Sequence, residues 1–209
     1  MADIFDLFKQ IAKKDNVPQT PPTHIIAGLG NPGAEYANTR HNAGFMAIEA
    51  LAQQLGVRVE RAKFKSLTAT ATVGDQKILL MMPQTYMNNS GEAVREAMQF
   101  YKIPPERCLI LFDDISLDVG AVRVRRKGSD GGQKGMKSII FLTGSDQFPR
   151  IRLGIGAKPH PDADLAAHVL SHFSQADAKL MVQAAEKAAK AAQVLVTEGV
   201  DQASNRFSS

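Results

Sequence analysis

His41 and Asp113 are the two side chains of this sequence best suited to acid–base chemistry in a common site. His41 lies just before a predicted helix, in the loop that follows the short apolar strand HIIAGLG, and Asp113 lies at the end of the apolar strand CLILFDD. Open α/β sheets bind ligands at the carboxyl ends of their strands. A carboxylate paired with imidazole fixes its tautomer and stabilises its cation. The two residues therefore predict a histidine base that an aspartate orients.

Two further loops at predicted strand ends carry amide side chains. Asn31 lies within the glycine-rich segment GLGNPG, and Asn88 lies within QTYMNNS, where it could equally cap the next helix or point into a cleft. With His41 and Asp113 they predict a polar cleft at the edge of a sheet. The sequence contains no GxSxG nucleophile motif. Water activated by a base is therefore the simplest hydrolytic chemistry for this cleft.

The segment GLGNPG also satisfies the pattern GxGxxG, which raises the alternative of a dinucleotide site. In a true dinucleotide motif the helix begins within the pattern, so that backbone N–H groups hold the pyrophosphate. Here Pro32 lacks an N–H donor, and the polar loop AEYANTRH separates the motif from the helix. The expected acidic residue would be Glu49, which falls inside that helix. We therefore predict no cofactor.

His168 and His172 are four residues apart on a predicted helix and could face one metal ion. The pair has no glutamate between its members, as HExxH has, and no third ligand nearby in the sequence. We therefore predict no metal site.

Basic residues concentrate between residues 121 and 137, where a strand pattern passes into a glycine-rich loop. This segment is either a solvated positive edge or a site for phosphate, and guanidinium groups beside glycine-rich backbone favour phosphate. The chain has a formal charge of +4 and no tryptophan, which favours shape and phosphate contacts over a stacking platform for single strands. The basic residues are Arg123, Arg125, Arg126, Lys127, Lys134 and Lys137.

The elements that position these residues alternate between strands and helices. We predict helices over residues 42–55, 91–101, 136–142, 164–172 and 174–198, with Asn42 and Ser174 as the N-caps of the first and the last. Strands are predicted over residues 24–30, 108–114, 119–126 and 151–156. Residues 68–73 and 77–83 flank Gly74-Asp75 as a hairpin. This order predicts a single three-layer α/β domain, with a mixed, mostly parallel twisted sheet flanked by helices.

The N-terminal segment and the apolar content of the chain bear on its expected location. Residues 1–22 form a predicted N-terminal helical appendage and linker, ahead of a domain over residues 23–209. The start MADIFDLFKQ lacks the features of a signal peptide, and no apolar run reaches the length of a membrane span. We therefore expect a cytoplasmic chain with no membrane partner. Cys108 lies in an apolar strand and receives no functional role.

In order and spacing, five blocks of this sequence resemble the bacterial and organellar peptidyl-tRNA hydrolase family. The blocks are IIAGLGNPGAEYANTRHNAG, MMPQTYMNNSGEAV, LFDDISLDVG, GSDGGQKGMKSII and FPRIRLGIG. The resemblance spans roughly residues 24 to 207. It implies a monomeric α/β enzyme that, without a cofactor, hydrolyses the ester joining a peptide to the tRNA 3′ ribose.

The resemblance also implies roles by position. His41 would take a proton from water, Asp113 would orient His41, and Asn31 would contact the substrate's amide as part of the catalytic set. Asn88 would line the channel for the peptide and terminal adenosine and could donate to the developing oxyanion. Tyr36, Tyr86 and Met87 would line the same channel, and Arg125 and Arg152 would hold the tRNA 5′ phosphate.

Three positions, Gln133, Lys134 and Ser116, depart from the family pattern. Family members commonly have GGHNG where this chain has Gly131-Gly132-Gln133-Lys134-Gly135, so Lys134 stands where an asparagine would contact the peptidyl-tRNA end. An ammonium donates hydrogen bonds but cannot accept them, so the contact changes in kind and Lys134 could attract phosphate instead. Ser116 occupies a position where aspartate is frequent. These changes bear on substrate preference. A relative that binds RNA without catalysis is the main alternative, and the presence of His41 and Asp113 argues against it.

Overall fold

The computed structural model describes residues 20–208, so most of the N-terminal appendage predicted over residues 1–22 lies outside the described residues. The strands are β1 (His24–Gly28), β2 (Arg61–Lys63), β3 (Ser66–Val73), β4 (Gln76–Pro83), β5 (Cys108–Asp114), β6 (Val122–Arg125) and β7 (Arg150–Gly154). The α-helices are α1 (Ala43–Gln54), α2 (Ser90–Tyr101), α3 (Lys134–Thr143), α4 (Leu165–Val169), α5 (Gln175–Glu198) and α6 (Val200–Phe207). One-turn 3₁₀ helices cover Ala34–Tyr36, Arg40–Asn42, Met87–Asn89 and Pro105–Arg107.

The middle layer is a seven-stranded mixed sheet in the order β2-β3-β4-β1-β5-β7-β6. Its four central strands, β4, β1, β5 and β7, pair in parallel, and antiparallel strands extend it at both edges. Parallel pairing thus accounts for three of the six strand pairs. The predicted mixed sheet flanked by helices is confirmed. It is half parallel instead of mostly parallel, because the β3–β4 hairpin and the short edge strands β2 and β6 add antiparallel pairs to the parallel centre.

Helices cover both faces of the sheet and divide the core in two. Helices α1, α5 and α6 pack on one face, and α2 and α3 pack on the other. Ile25 and Ile26 are neighbours on β1 but belong to opposite halves of the core, because successive strand residues point to opposite faces. This explains why β1 and β5 are continuous apolar runs: a central strand covered on both faces has no solvent side.

Local sequence signals account for most of the element boundaries. The hairpin turns at Gly74-Asp75, with Gly74 at a φ of 61°, and β3 pairs antiparallel with β4 over its whole length. The Ser174 side chain accepts a hydrogen bond from Asp177 N at 3.1 Å, so the predicted cap begins α5. The short edge strand β2 and the terminal helix α6 were not predicted. Between residues 20 and 208, no helix combines the length and the apolar character needed to cross a membrane.

Candidate functional site

A cleft of about 800 Å³, here called the main cleft, opens at the carboxyl ends of the central parallel strands. It is the larger of the two best-formed cavities among the residues that the structure describes. Nine of the ten predicted site residues line it; the exception is Tyr36. The nine are Asn31, His41, Tyr86, Met87, Asn88, Asp113, Arg125, Lys134 and Arg152.

Close packing between α1 and the sheet brings His41 to Asp113. A Cβ atom on Gly28 would lie 2.2 Å from the Gly44 carbonyl oxygen, and a Cβ on Gly44 would lie 2.4 Å from the Leu111 carbonyl oxygen. Only glycine permits such an approach of two backbones. The first turn of α1 therefore rests directly on β1 and β5. His41, three residues before Gly44, consequently lies beside Asp113, two residues after Leu111.

The His41 and Asp113 side chains form a buried pair. His41 Nδ1 lies 2.8 Å from Asp113 Oδ2, and the side chains are 10% and 3% exposed. An ionised carboxylate only accepts hydrogen bonds, so His41 Nδ1 carries the proton in this pair. In the neutral ring Nε2 then holds the lone pair, and this atom has no protein partner among the described residues. The pair can therefore act as an oriented base within the main cleft.

The second oxygen of Asp113 is held by Gln133, a residue to which the sequence analysis assigned no role. Gln133 Nε2 donates to Asp113 Oδ1 at 3.0 Å, and Gln133 Oε1 accepts from Met136 N at the start of α3. Gln133 is buried. The one signal in the sequence was its departure from the usual histidine of the family motif.

Asn31 is held by contacts that the sequence did not indicate. Its backbone N–H donates to Asn42 Oδ1 at 2.8 Å, and its backbone oxygen accepts from Asn42 Nδ2 at 3.0 Å. Its side-chain Oδ1 accepts from Met87 N at 2.7 Å, which joins the β1 loop to the loop after β4. The Asn31 Nδ2 group remains as a donor on the cleft wall. Asn42 occupies the predicted N-cap position of α1, but its side chain bonds Asn31 instead of the helix.

Aromatic side chains stand at one edge of the main cleft. Tyr86 is 55% exposed and lines the cleft, and the Tyr36 ring meets it edge-on at a centroid distance of 6.2 Å. Tyr86 has a φ of 49°, an uncommon conformation for a residue with a side chain. Met87 is buried beneath it, and Asn88 is exposed and makes no side-chain hydrogen bond to α2, the helix it could have capped. The structure therefore groups Tyr36 with the lining residues through Tyr86.

Basic side chains also line the main cleft. Arg125, Lys127 and Lys134 are exposed, and Lys134 is the first residue of α3. Arg152 is partly neutralised, because its Nε donates to Asp114 Oδ2 and its Nη2 donates to Ser116 Oγ at 3.1 Å. The two arginines predicted to hold a phosphate thus differ: Arg125 has its full charge available, whereas Arg152 belongs to an ion pair.

Arg150 anchors the glycine-rich part of the basic loop, a function that the sequence did not reveal. Its side chain is buried and donates to the backbone oxygens of Ser129, Asp146 and Phe148 at 2.7, 3.0 and 3.1 Å. Burial is the main reason that the pKa of the Arg150 guanidinium is lowered. Arg150 therefore shapes the loop that carries the exposed cations.

Two glycines of GLGNPG, Gly28 and Gly30, permit close packing, and the third, Gly33, has a φ of 112° that favours glycine. A Cβ on Gly30 would lie 2.7 Å from the Phe45 ring, and α1 begins only at Ala43, well beyond the motif.

His168 Nε2 lies 2.9 Å from the Gly156 backbone oxygen, so this ring already has a partner. Over residues 20–208, no three His, Cys, Asp or Glu side chains are grouped so that they could hold a metal ion.

Comparison with known proteins identifies the family of this fold and cleft. The model of the peptidyl-tRNA hydrolase family matches residues 25–209. The chain belongs to the peptidyl-tRNA hydrolase family. Membership confirms the resemblance drawn from the motifs and the expectation of an enzyme of this family.

Curated relatives and solved structures agree with this membership. The peptidyl-tRNA hydrolase of Caldanaerobacter subterraneus subsp. tengcongensis is 52% identical over 184 residues, which cover 88% of this chain and 98% of that protein. The peptidyl-tRNA hydrolase of Caldicellulosiruptor saccharolyticus is 50% identical and covers 87% of this chain and 95% of its own length. The crystal structure of the Acinetobacter baumannii peptidyl-tRNA hydrolase superposes with a TM-score of 0.83 at 34% identity, over 92% of this chain and 99% of that one.

Proposed function

We propose that this chain hydrolyses the ester bond between peptide and tRNA in peptidyl-tRNA, with water activated by His41. The buried His41–Asp113 pair in the main cleft carries the proposal, because it supplies an oriented base where a substrate can reach it. Family membership supplies the substrate class. The products are a free peptide and a free tRNA, so the enzyme recycles tRNA from stalled or aborted translation. We further propose that it acts as a cytoplasmic monomer.

In the proposed reaction, the oxygen of a water molecule attacks the ester carbonyl carbon while His41 Nε2 takes a proton from that water. Asp113 stabilises the resulting imidazolium through the Nδ1 hydrogen bond. When the tetrahedral intermediate collapses, the imidazolium returns the proton to the leaving ribose oxygen. General-base catalysis of this kind contributes on the order of 10² to 10⁴ in rate.

Two amides are placed to contact the peptide. Because Asn31 Oδ1 is bonded to Met87 N, only its Nδ2 group is available, and it would donate to a carbonyl oxygen of the substrate. This contact would help to distinguish a peptidyl end from an unblocked aminoacyl end. Asn88 would donate to the oxygen that becomes negative in the transition state. Tyr36, Tyr86 and Met87 would form the channel for the peptide and the terminal adenosine.

The basic part of the main cleft is suited to the phosphates of the tRNA. Arg125 would make the stronger contact with the 5′ phosphate, because it is exposed and no acidic side chain of the described residues neutralises it. Arg152 would contribute through the guanidinium atoms that Asp114 and Ser116 leave available. Lys134 extends the positive surface towards the catalytic pair and would bind phosphate rather than read an amide.

A second candidate is a relative that binds RNA without catalysis. This function needs the basic surface but gives no reason to keep a buried imidazole paired with a carboxylate. Burying an ionisable carboxylate costs free energy, which RNA binding alone does not require. The His41–Asp113 pair therefore favours an enzyme.

Replacement of His41 tests the proposal. We expect His41→Ala to lower kcat for release of peptide from purified peptidyl-tRNA by about 10² to 10⁴, because the general base is lost. The dissociation constant for peptidyl-tRNA should stay close to that of the wild-type chain. His160→Ala is the matched control, since His160 is exposed and outside the main cleft.

Three measurements decide between the candidates: the rate of peptide release, the rate with unblocked aminoacyl-tRNA, and the dissociation constant. A wild-type chain that binds peptidyl-tRNA but does not cleave it would support the RNA-binding candidate. Undiminished release by His41→Ala would remove His41 from the mechanism.

A further inference from the structure

Gln133 is an unusual residue for the position it occupies. It is the N-cap of α3, and its side chain accepts a hydrogen bond from Met136 N at 2.7 Å. Helices prefer short caps at this position, namely Asn, Asp, Ser and Thr. Glutamine is longer than any of these by at least one methylene group, and its amide extends past the helix end to Asp113. The extra length thus has a consequence inside the main cleft.

The orientation of the Gln133 amide follows from its partners. Oε1 faces the Met136 N–H, which can only donate, and Nε2 faces the Asp113 carboxylate, which can only accept when ionised. Nε2 also lies 3.1 Å from Met87 Sδ, a weak acceptor. An inverted amide would place donor against donor and acceptor against acceptor. The Gln133 side chain therefore has a single orientation, with its N–H groups directed at Asp113 and Met87.

This arrangement leaves both oxygens of Asp113 bonded in the protein. Oδ1 accepts from Gln133, and Oδ2 pairs with His41 Nδ1. A carboxylate held at one oxygen cannot rotate about its Cβ–Cγ bond without losing that bond. Gln133 thereby restricts Asp113 to the rotamer in which Oδ2 meets His41.

We propose that Gln133 is a positioning residue for the hydrolysis. Its amide, which does not ionise, donates to Asp113 and so orients the carboxylate that pairs with His41. The inference rests on the proposed function, since it matters only if His41 is the base. The titratable and charged groups around Gln133 include Asp113 on β5, His41 beyond it, Asp130 in the loop before α3, Lys134 on α3, and the Asp114–Arg152 ion pair on the cleft wall. An amide does not ionise, so Gln133 remains a hydrogen-bond donor at every pH at which the protein is folded.

Gln133→Asn separates this role from helix capping. Asparagine is a favoured cap, so α3 keeps its N-terminal hydrogen bond. Its side chain is shorter by about 1.5 Å, which places the amide beyond hydrogen-bond range of Asp113 Oδ1. We expect kcat to fall by about 10- to 100-fold, because a hydrogen bond to a charged group is lost. KM should stay unchanged. The urea midpoint of unfolding should fall only modestly, because Asp113 Oδ1 loses one partner while the cap of α3 is kept.

Gln133→Glu supplies the readout that a purely structural role would not affect. The variant side chain has the same length and can still cap α3, but its carboxylate, when ionised, would face the Asp113 carboxylate without a donor. When the introduced carboxyl group is protonated, its O–H can donate to Asp113 Oδ1. We therefore expect the activity of the variant relative to the wild-type chain to rise as the pH falls from 8 to about 5.

The two variants are compared with the wild-type chain and His41→Ala in steady-state hydrolysis of peptidyl-tRNA. Loss of kcat in a Gln133→Asn variant that stays folded under the assay conditions and keeps its KM, together with a pH-dependent ratio in Gln133→Glu, would support the positioning role. Wild-type kcat in Gln133→Asn, or a ratio independent of pH in Gln133→Glu, would overturn it. An active His41→Ala variant would instead overturn the proposed mechanism, so the two failures are distinct.

Discussion

Asn42 offers a sharp test of how the main cleft is held together. Its side chain bonds both the N–H and the C=O of Asn31, at 2.8 and 3.0 Å, and both residues are buried. In Asn42→Ala these two backbone groups would lose their partners. A cavity of about 220 Å³ borders Asn31 and Asn42, so water can reach the site and reduce the cost of the loss. At roughly 1 to 1.5 kcal/mol for each group, the free energy of unfolding should fall by about 2 to 3 kcal/mol.

The same substitution should impair substrate binding, because Asn31 would no longer be held against Met87 N. Unfolding in urea gives the free-energy change, with an unchanged slope showing that the folded state stays compact. Steady-state hydrolysis of peptidyl-tRNA gives KM, which should rise, while kcat should fall less than in His41→Ala. The Asn42→Asp side chain has nearly the same shape as that of Asn42. One of its oxygens can still accept from Asn31 N, but the other faces the Asn31 carbonyl oxygen, to which a carboxylate cannot donate.

Asn89→Ala is the matched control for Asn42→Ala. Asn89 is exposed, it stands at the corresponding N-cap position of α2, and its side chain makes no cap hydrogen bond. Its replacement should change the free energy of unfolding by no more than about 0.5 kcal/mol. Equal stability and equal KM in Asn42→Ala and Asn89→Ala would refute the view that Asn42 holds the Asn31 loop.

Two further predictions concern charge. Arg125→Ala should weaken tRNA binding and reduce the slope of log affinity against log salt by about one, since one phosphate contact is lost. An unchanged slope would mean that Arg125 is exposed to solvent and makes no phosphate contact. Burial, assisted by Arg107, lowers the pKa of His24, so the unfolded chain binds a proton more readily than the folded one. Stability should therefore decline as the pH falls below the ordinary histidine value of 6.5, and His24→Gln should flatten this decline in urea unfolding; an identical pH dependence in the variant would contradict it.

The sequence predicted most of the elements because their signals are local. The hairpin at Gly74-Asp75 and the cap at Ser174 depend on residues within a few positions of each other. The order of the strands depends on packing between distant segments. β1 lies between β4 and β5, and β7 lies between β5 and β6, which neither periodicity nor turn residues could reveal. The edge strand β2 has only three residues, too few for a periodic pattern.

The residues of the site were predicted better than their bonds. His41 and Asp113 were paired from their positions at two strand ends, and the structure places them 2.8 Å apart. The close contacts of Gly28 and Gly44 that allow this approach join α1 to the sheet, and a local sequence pattern does not reveal them. Arg152 was predicted to hold the tRNA 5′ phosphate, and the sequence did not reveal that its guanidinium is paired with Asp114, 38 residues earlier in the chain. A local pattern shows that a side chain is charged but not which distant group neutralises it.

The same limit applies to two amide side chains, Asn42 and Gln133, whose hydrogen bonds the sequence did not reveal. Asn42 has the residue type and position of a helix cap, and local rules assign it to the helix. Its carboxamide instead bonds Asn31, 11 residues earlier, while Gln133, a poor cap by type, does cap α3 and also reaches Asp113. These bonds decide which polar atoms of the site remain available. Asn31 keeps its Nδ2 group as a donor, and His41 keeps the lone pair on Nε2. A catalytic role can therefore be assigned only when the bonded and unbonded atoms of each candidate side chain have been separated, because the unbonded atoms are those that a substrate can meet.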